Sequence, residues 1–500
     1  MSKLILPNRR RFMSHIASTG VAAGLAGLSA EPVLGRAAAG ENPISEENTR
    51  PGTLEWQLLR CQYENPDTMV AYRLNRKLRS SNVEGYCSKT SLYPGDSIDF
   101  HISGRKGDIL IDIYRLGYYG GQGGRHMTQL GPFTVEPQPM PMMTMERLRE
   151  CRWERTVRFD VPRDWTSGVY VAKMTRQESF GAQQYLVFIV KSRQPADVLF
   201  MCADLTWQAY NKWPGKNSLY DDGTPELWYT GPNVRVGFNR PYAKYCQVID
   251  APHTGGSGSF LLWEFPLAFW LEAQGYNVSY CSNLDLHLDE TILQRHKLLL
   301  SVGHDEYWSR EMYDNVMKAR DDGLNIAFLS GNAVYHEIVM YNSEIDNRPS
   351  RAYARRRMFP DEQDLMGVRS YGTGYGDWTV KQPDHWLFEK TGMQLDEEIP
   401  GLIGWEYHGD PAEIAGLEVL AHSVTTKRPD PKTGCSGTHS AIMYPGPRNN
   451  MILNVGTIWW PEGLSRPPGH IPARTTRGGP LGVDPRVQQI TANFLDRCIG

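Results

Sequence analysis

The chain reads Leu298-Leu299-Leu300-Ser301-Val302-Gly303-His304-Asp305-Glu306-Tyr307-Trp308-Ser309 near its middle. An apolar run that ends in three ionisable side chains predicts a buried strand followed by a polar loop. The next residues, Ser309 to Arg320, have apolar side chains at helical spacing, which predicts a helix capped by Ser309. His304, Asp305 and Glu306 are therefore expected in a strand-to-helix loop. Such loops line the ligand crevice of an open parallel sheet.

The composition is that of a globular protein large enough for two domains, with 500 residues, 40% hydrophobic and 22% charged. The net charge of -3 and the lack of a basic stripe argue against a nucleic-acid partner. Fourteen Trp and 25 Tyr leave two interpretations open, an aromatic-lined pocket or an aromatic core. The eight cysteines form no Cys-x-x-Cys pair, so Cys202 and Cys281 are expected to pack in strands, and one or two disulfides after export stay an open alternative.

Residues 1–39 are predicted to be a signal peptide of the twin-arginine type. Arg9-Arg10-Arg11 precedes a mildly apolar stretch from Ile16 to Leu28, and Ala37-Ala38-Ala39 offers a small-residue cleavage site. We therefore expect export to the periplasm and no stable membrane span once the signal is removed. Because this route carries folded proteins, it also favours a metal or cofactor.

Residues 50–193 are predicted to form a β-sandwich. Short apolar or alternating runs, separated by Gly and Pro turns, are typical of an all-β unit. These runs lie at 97–102, 109–114, 156–161 and 185–190. Residues 130–150 are rich in Pro and Met and have no periodicity, so we predict a long loop there.

Residues 196–500 are predicted to form an α/β domain, because strands alternate with helices and this alternation implies a parallel sheet. Predicted strands lie at 197–201, 278–281, 297–301 and 325–329, with helices at 260–273 and 309–319. A polar loop follows each strand, at 204–211, 283–285, 304–306 and 330–332. Four such loops would line one edge of one sheet.

The pattern is weaker beyond Tyr335. The basic run at 351–357 is predicted to be a solvated face. Further strands are predicted at 417–422, 440–444 and 451–455, and a closing helix at 488–498.

Several loop side chains are suited to chemistry. His304 and Glu306 can point the same way from an extended loop, which suits a metal or a general acid–base pair, and bonds to backbone are the alternative. Tyr210 offers a phenolate, a hard oxygen ligand suited to ferric iron, although ordinary packing explains such a Tyr as well. Asn332 either caps a helix and donates to a substrate oxygen or lies in a turn. No Gly-x-Ser-x-Gly elbow occurs, so a covalent serine hydrolase is disfavoured.

Three segments together, Gly303 to Ser309, Phe328 to Ala333 and Ala209-Tyr210-Asn211, resemble the large (beta) subunit family of N,N-dimethylformamidase. The likeness covers most of Trp56 to Gly500. It implies a multidomain β plus α/β fold, with an N-terminal β-sandwich followed by a flavodoxin-like domain related to class I glutamine amidotransferases. It also implies a mononuclear ferric ion, Fe(3+), held by two Tyr and one Glu.

The resemblance assigns metal ligands residue by residue. Glu306 is then the carboxylate ligand and Tyr210 the first phenolate. Tyr242 is our choice for the second phenolate, and Tyr220 is the competing choice.

The resemblance also implies catalytic residues. His304 and Asn332 match residues that the family needs for activity, and Glu406 is placed as a later carboxylate. The pattern departs at Tyr335-His336, where the family implies Tyr-Trp.

The function expected from this resemblance is an exported, iron-dependent hydrolase of the amide C–N bond in a small substrate. The family also leaves room for a small partner subunit and a homo-oligomer. Two alternatives stay open. One is a periplasmic ligand- or carbohydrate-binding protein on the same scaffold without catalysis, and the other is a metal-independent amidase that uses the His–carboxylate set.

Overall fold

A computed structural model describes residues 42–61, 79–178, 180–224, 228–243, 245–246, 249–250, 252–426, 437–472 and 482–500. The predicted signal at 1–39 lies outside these residues. Within them, every helix is too short or too polar to cross a membrane.

The N-terminal part consists of two β-sheets that pack face to face. It begins with helix α1 (Pro43–Asn48) and continues with strands β1 (Val83–Cys87), β2 (Ser91–Leu92), β3 (Ser97–Gly104), β4 (Gly107–Leu116), β5 (Gly124–Val135), β6 (Val157–Asp160), β7 (Gly168–Arg176) and β8 (Gln183–Val190). One sheet has the order β2-β8-β7-β4-β5 and the other β1-β3-β6. Phe100 of β3 and Phe188 of β8 meet in the shared core with ring centroids 6.0 Å apart. The alternating runs therefore bury one face of each sheet, as in a β-sandwich.

The predicted loop at 130–150 is wrong at its start. Strand β5 continues to Val135 and stays paired with β4, so that Val135 lies opposite Gly107. Hydrogen bonds to a neighbouring strand stabilise this segment, although its own residues have no alternating pattern.

The opposite face of the five-stranded sheet is buried as well. Tyr114, Val171 and Val187 belong to the same apolar cluster as Phe200 and Tyr280, which lie in the second part of the chain.

A seven-stranded sheet forms the centre of that second part. Its strands are β9 (Val198–Cys202), β13 (Val278–Ser282), β14 (Leu298–Gly303), β16 (Asn325–Ser330), β23 (Glu418–Val424), β24 (Thr438–Pro445) and β25 (Met451–Asn454). The order is β13-β9-β14-β16-β25-β24-β23, in which the first five strands are parallel and the last two antiparallel. Each predicted strand of this sheet is confirmed to within about two residues. The division of the chain at 50–193 and 196–500 stays a prediction.

The remaining strands form a second, four-stranded sheet and three small pairs. They are β10 (Arg235–Gly237), β11 (Tyr245–Cys246), β12 (Ile249–Asp250), β15 (Tyr307–Ser309), β17 (His336–Tyr341), β18 (Ala352–Met358), β19 (Arg369–Gly372), β20 (Gly376–Thr379), β21 (Glu398–Ile403) and β22 (Glu406–Gly409). The four-stranded sheet has the order β10-β18-β17-β15, and the pairs are β11-β12, β19-β22 and β20-β21.

The helices of this part connect and cover the strands. They are α2 (Asp204–Tyr210), α3 (Phe260–Trp263), α4 (Phe265–Ala273), α5 (Asn283–Leu288), α6 (Arg310–Asp321), α7 (Glu362–Met366) and α8 (Pro485–Ile499). Short 3-10 helices lie at Tyr119–Gly121, Met145–Arg147, Pro252–Thr254, Glu290–Arg295, Trp386–Phe388 and Trp460–Gly463. Ser309 caps α6 as predicted, since its side chain accepts a hydrogen bond from the Met312 amide.

The prediction of a solvated face at 351–357 holds for Arg356 and Arg357, which are exposed on β18, and is wrong for Arg351 and Arg355, which are buried. The Arg355 guanidinium donates to backbone carbonyls, which explains how a charged side chain is accommodated inside. Cys202 and Cys281 are buried free thiols, as core packing predicted.

Candidate functional site

The polar loops converge at one edge of the seven-stranded sheet, as the sequence predicted. Strand β14 ends directly before His304-Asp305-Glu306, and β16 ends before Asn332. Tyr210 ends α2, the helix that follows β9. The amides of Val334 and Tyr335 donate to the carbonyls of Asp305 and Glu306, so the two loops are bonded to each other.

Asp305 and its neighbours fix the backbone of the central loop. The Asp305 carboxylate accepts from Ser301 Oγ at 2.9 Å and from Asn283 Nδ2 at 3.0 Å. The Glu306 amide donates to Thr206 Oγ1 at 3.0 Å. With the loop held in this way, His304 Nε2 lies 3.3 Å from Glu306 Oε2, so both side chains face the same space.

Two buried phenol groups contact the buried carboxylate of Glu306. Tyr210 Oη donates to Glu306 Oε2 at 2.6 Å, and Tyr220 Oη lies 3.1 Å from Glu306 Oε1. The two phenol oxygens are 2.7 Å apart. None of the three side chains belongs to a residue more than 6% exposed. Burial, reinforced by the charge of Glu306, raises the pKa of both phenols well above the usual range. Tyr210 and Tyr220 therefore keep their hydroxyl protons when no metal is bound.

This donor set fits a ferric ion. Two phenolates and a carboxylate supply three hard oxygen ligands and three negative charges, which match the charge and the ligand preference of Fe(3+). Across the described part of the chain, no group of three or more His, Cys, Asp or Glu side chains is arranged to hold a metal. The two phenols therefore distinguish the Glu306 donor set from a cluster built of His, Cys, Asp or Glu alone.

The structure brings Tyr220, not Tyr242, to Glu306. Tyr242 lies beside Trp207, with ring centroids 6.3 Å apart, and lines a cavity together with Asp204 and Arg240. The Leu219 amide donates to the Ala209 carbonyl, which brings Tyr220 next to Tyr210. Tyr242 therefore lies outside the group of phenols that contacts Glu306.

His304 lies between two carboxylates. Its Nε2 is 2.7 Å from Glu406 Oε2, and Glu406 arrives at the site on β22. Burial by itself lowers the pKa of His304, but the charges and hydrogen bonds of Glu406 and Glu306 outweigh it and raise the pKa to about 10. The metal-free site therefore holds an imidazolium at neutral pH.

Asn332 lies in a turn and caps no helix, since strand β17 is the next element. Its backbone has a φ of 52°, and its Oδ1 is buried and accepts no hydrogen bond from the described residues. The Ala333 amide donates to His408 Nε2 at 3.0 Å, and His408 Nδ1 contacts Asn454 Oδ1 at 2.7 Å. This chain of contacts fixes the turn, so an amide side chain is held next to the His304 loop with its oxygen unused.

Sequence reasoning missed further side chains at the site. Tyr307 Oη donates to Tyr220 Oη at 2.6 Å, and Arg355 contacts Tyr307. His336 Nε2 lies 3.4 Å from Glu306 Oε1, and burial lowers the pKa of His336 to about 4 despite the Glu306 charge, so this imidazole is neutral. The sequence did contain a signal for His336, because this residue departs from the family pattern at Tyr335-His336.

A tryptophan cluster packs against the His304 side of the site. The rings of Trp263 and His304 are 6.4 Å apart, Trp263 and Trp405 are 5.2 Å apart, and Trp405 and Trp459 are 5.7 Å apart. The indole N–H groups of Trp263 and Trp459 are buried and donate no hydrogen bond to the described residues. These aromatics therefore give the site an apolar wall with two unused donors.

A family model described as "N,N-dimethylformamidase beta subunit-like, C-terminal" matches residues 110–473, which include every site residue named above. The chain belongs to this family. A curated relative, the N,N-dimethylformamidase beta subunit of Alcaligenes sp, is 23% identical over 322 residues, which cover 51% of this chain and 41% of the relative. The chain therefore matches less than half the length of that relative.

Two solved structures are similar only in part. Spo0M, a sporulation control protein from Bacillus subtilis, is 13% identical and has a TM-score of 0.16, covering 22% of this chain and 49% of its own. A cycloisomaltooligosaccharide glucanotransferase from Paenibacillus sp. is 10% identical and has a TM-score of 0.16, covering 57% of this chain and 35% of its own. These scores are too low to support an argument about fold or function.

Proposed function

We propose that this chain is an iron-dependent hydrolase of the amide C–N bond in a small substrate. The observation that carries the proposal is the meeting of Tyr210, Tyr220 and Glu306 beside the His304–Glu406 pair. Membership of the N,N-dimethylformamidase beta subunit-like family supports an amide as the substrate class. The burial of these side chains favours a small substrate over a polypeptide.

A bound ferric ion, held by Tyr210, Tyr220 and Glu306, would supply a Lewis acid at the buried end of the site. Amide hydrolysis needs a proton removed from the attacking water and a proton given to the leaving nitrogen. His304 and Glu406 are 2.7 Å apart and can hold and move that proton between them. The Asn332 amide can donate to the oxygen on which negative charge develops.

We also propose that the second part of the chain has a flavodoxin-like fold, which the order of its parallel strands supports. In chain order, the five parallel strands are arranged second, first, third, fourth and fifth across the sheet. This is the order of flavodoxin-like folds, in which ligands bind outside the carboxyl ends of the strands.

Export and assembly belong to the same proposal. Arg9-Arg10-Arg11 and the small residues at 37–39 support a twin-arginine signal and a periplasmic location. The relative is named as a subunit, which supports a partner subunit or a homo-oligomer for this chain too. Fusing residues 1–39 to a reporter that matures only after twin-arginine export tests the location, and a cytoplasmic reporter would contradict it.

Metal analysis and visible spectroscopy of the purified chain test the iron site. We expect about one iron per chain, a broad tyrosinate-to-iron charge-transfer band, and release of amine from small N-substituted amides. Glu306→Gln should lose iron, colour and activity together, since the neutral amide removes one ligand charge. Glu150→Gln is the matched control, because Glu150 is also buried but bonds to Asn239 and to the Glu344 amide.

Two results would contradict the proposal. Full iron content in Glu306→Gln would remove Glu306 from the ligand set. Colourless wild-type protein that takes up no ferric ion would favour a binding protein without catalysis.

A further inference from the structure

Two buried side chains contact Tyr220 in addition to Tyr210 and Glu306. Tyr307 and Arg355 belong to residues that are 0% and 2% exposed. Tyr307 lies on β15 and Arg355 on β18, two strands of the four-stranded sheet. Neither residue hydrogen-bonds to Glu306, and Tyr220 is the phenol that both of them contact.

The hydrogen bonds between these side chains have a fixed direction. Arg355 Nε and Nη2 each donate to Tyr307 Oη at 3.3 Å. Because guanidinium groups only donate, the oxygen of Tyr307 must accept, and its own proton is directed to Tyr220 Oη at 2.6 Å. Tyr220 therefore receives a hydrogen bond whether its oxygen carries a proton or a metal.

The charge of Arg355 also faces Tyr220. Its Cζ lies 4.2 Å from the centre of the Tyr220 ring. Nη1 donates to the carbonyls of Leu219 and Tyr229 at 3.1 Å each, which fixes the guanidinium independently of any metal. Among the described residues, Arg355 forms no salt bridge with Asp or Glu. The charge of Glu306 acts on Arg355 without an ion-pair contact, and an anionic phenolate at Tyr220 would further offset the cost of burying this cation.

We infer that Tyr307 and Arg355 are positioning residues that draw electron density from the Tyr220 phenolate and so tune its strength as a metal ligand. This inference rests on the proposed ferric site. A hydrogen bond and a nearby positive charge both lower the energy of the electrons that the phenolate donates. Without them, the phenolate donates more strongly, and the charge-transfer band moves to longer wavelength.

The test is the visible spectrum of iron-loaded Tyr307→Phe. This substitution removes one hydroxyl and keeps the ring, and Tyr210, Tyr220 and Glu306 remain. We expect iron content close to that of the wild type, with the band displaced to longer wavelength. Arg355→Lys should displace the band in the same direction but less, since it keeps the charge and loses the two bonds to Tyr307. Tyr313→Phe is the control, because Tyr313 Oη donates to the Asp361 carbonyl and should leave the band in place.

The outcomes separate this inference from the proposal on which it rests. Iron-bearing Tyr307→Phe with an unmoved band would overturn the inference and leave the ferric site intact. If Tyr307→Phe does not fold, an unmoved band in Arg355→Lys would overturn it equally. A wild-type chain that cannot be loaded with iron would overturn the proposed function and this inference together.

Discussion

At the scale of single residues, the main question is whether Tyr220 or Tyr242 is the second phenolate ligand. Tyr220 lies 3.1 Å from Glu306, while Tyr242 lies beside Trp207. We predict that Tyr220→Phe loses iron and the charge-transfer band, because the ring stays but the oxygen ligand is gone. Tyr242→Phe should keep both. Metal analysis of the two variants decides the matter, and the reverse result would restore Tyr242.

Asp204 gives a second prediction at this scale, one of pH dependence. Its Oδ1 accepts from the Asn283 amide at 2.9 Å, while Oδ2 is buried and accepts no hydrogen bond from the described residues. Burial, together with the charge of Asp285, raises the pKa of Asp204 to about 7. The folded chain thus holds a proton that the unfolded chain releases near pH 4, so the free energy of unfolding falls as the pH rises from about 4 to 7.

Replacing Asp204 with Asn removes the loss of stability that ionisation of the buried Asp204 carboxyl causes. We predict that Asp204→Asn is more stable than the wild type at pH 8, by up to about 4 kcal/mol, and that the difference disappears near pH 4. Urea unfolding of both proteins across this range measures it. A difference in stability that does not change with pH would show that Asp204 titrates normally.

The sequence could predict only part of the site at this scale. His304 and Glu306 are two residues apart, so local geometry already puts them together. The sequence analysis chose Tyr242 over Tyr220, and the chain between Asn211 and Arg240 has too little periodicity to place either side chain. Only the fold of that segment, for example the bond from the Leu219 amide to the Ala209 carbonyl, separates them.

At the scale of secondary-structure elements, the periodicity of apolar residues predicted the strands and helices that bury an apolar face. The third predicted strand and the helix after Ser309 match β14 and α6 to within two residues. The predicted helix at 260–273 is divided at Glu264 into α3 and α4, because Pro266 has no N–H to continue the helical bonds. At 351–357 the count of charges was misleading for the first half of the run, since Ala352 to Arg355 of β18 are buried while Arg356 and Arg357 are exposed.

The cap of α6 gives a prediction at this scale. Ser309 Oγ accepts from the Met312 amide at 3.1 Å and also contacts His287 Nδ1 at 2.8 Å. Ser309→Ala should lower the free energy of unfolding by about 1 kcal/mol, because a helix N–H loses its acceptor. Ser309→Thr keeps the hydroxyl and should lose less. Urea unfolding compares the two, and equal losses would mean that packing, not capping, is responsible.

At the scale of the whole molecule, a buried ion pair joins the two parts of the chain. Arg115 of β4 donates to Glu272 of α4 at 2.8 Å and 3.0 Å, and both side chains are fully buried. Glu272→Gln should lower the free energy of unfolding by about 3 to 5 kcal/mol, because it leaves the guanidinium buried without a counter-charge. Asp396→Asn, which breaks the exposed pair with Lys381, should change it by less than about 1 kcal/mol.

Urea unfolding measures this contrast too, and equal effects of the two substitutions would contradict it. The pair also shows why large-scale packing escaped prediction. Arg115 and Glu272 are far apart in sequence, and no local pattern marks them as partners. The sequence predicted the succession of sheets from periodicity, but not which faces meet.

The five-stranded sheet is covered on both faces, by the three-stranded sheet on one side and by the cluster around Phe200 on the other. This has a consequence for dissecting the protein. A fragment that stops at residue 193 would expose Tyr114, Val171 and Val187 to water as one apolar patch. A fragment that starts at residue 196 would expose Phe200 and Tyr280, which belong to the same cluster. Expressed separately, the two pieces should aggregate or bind each other, so the chain is not divisible between residues 193 and 196.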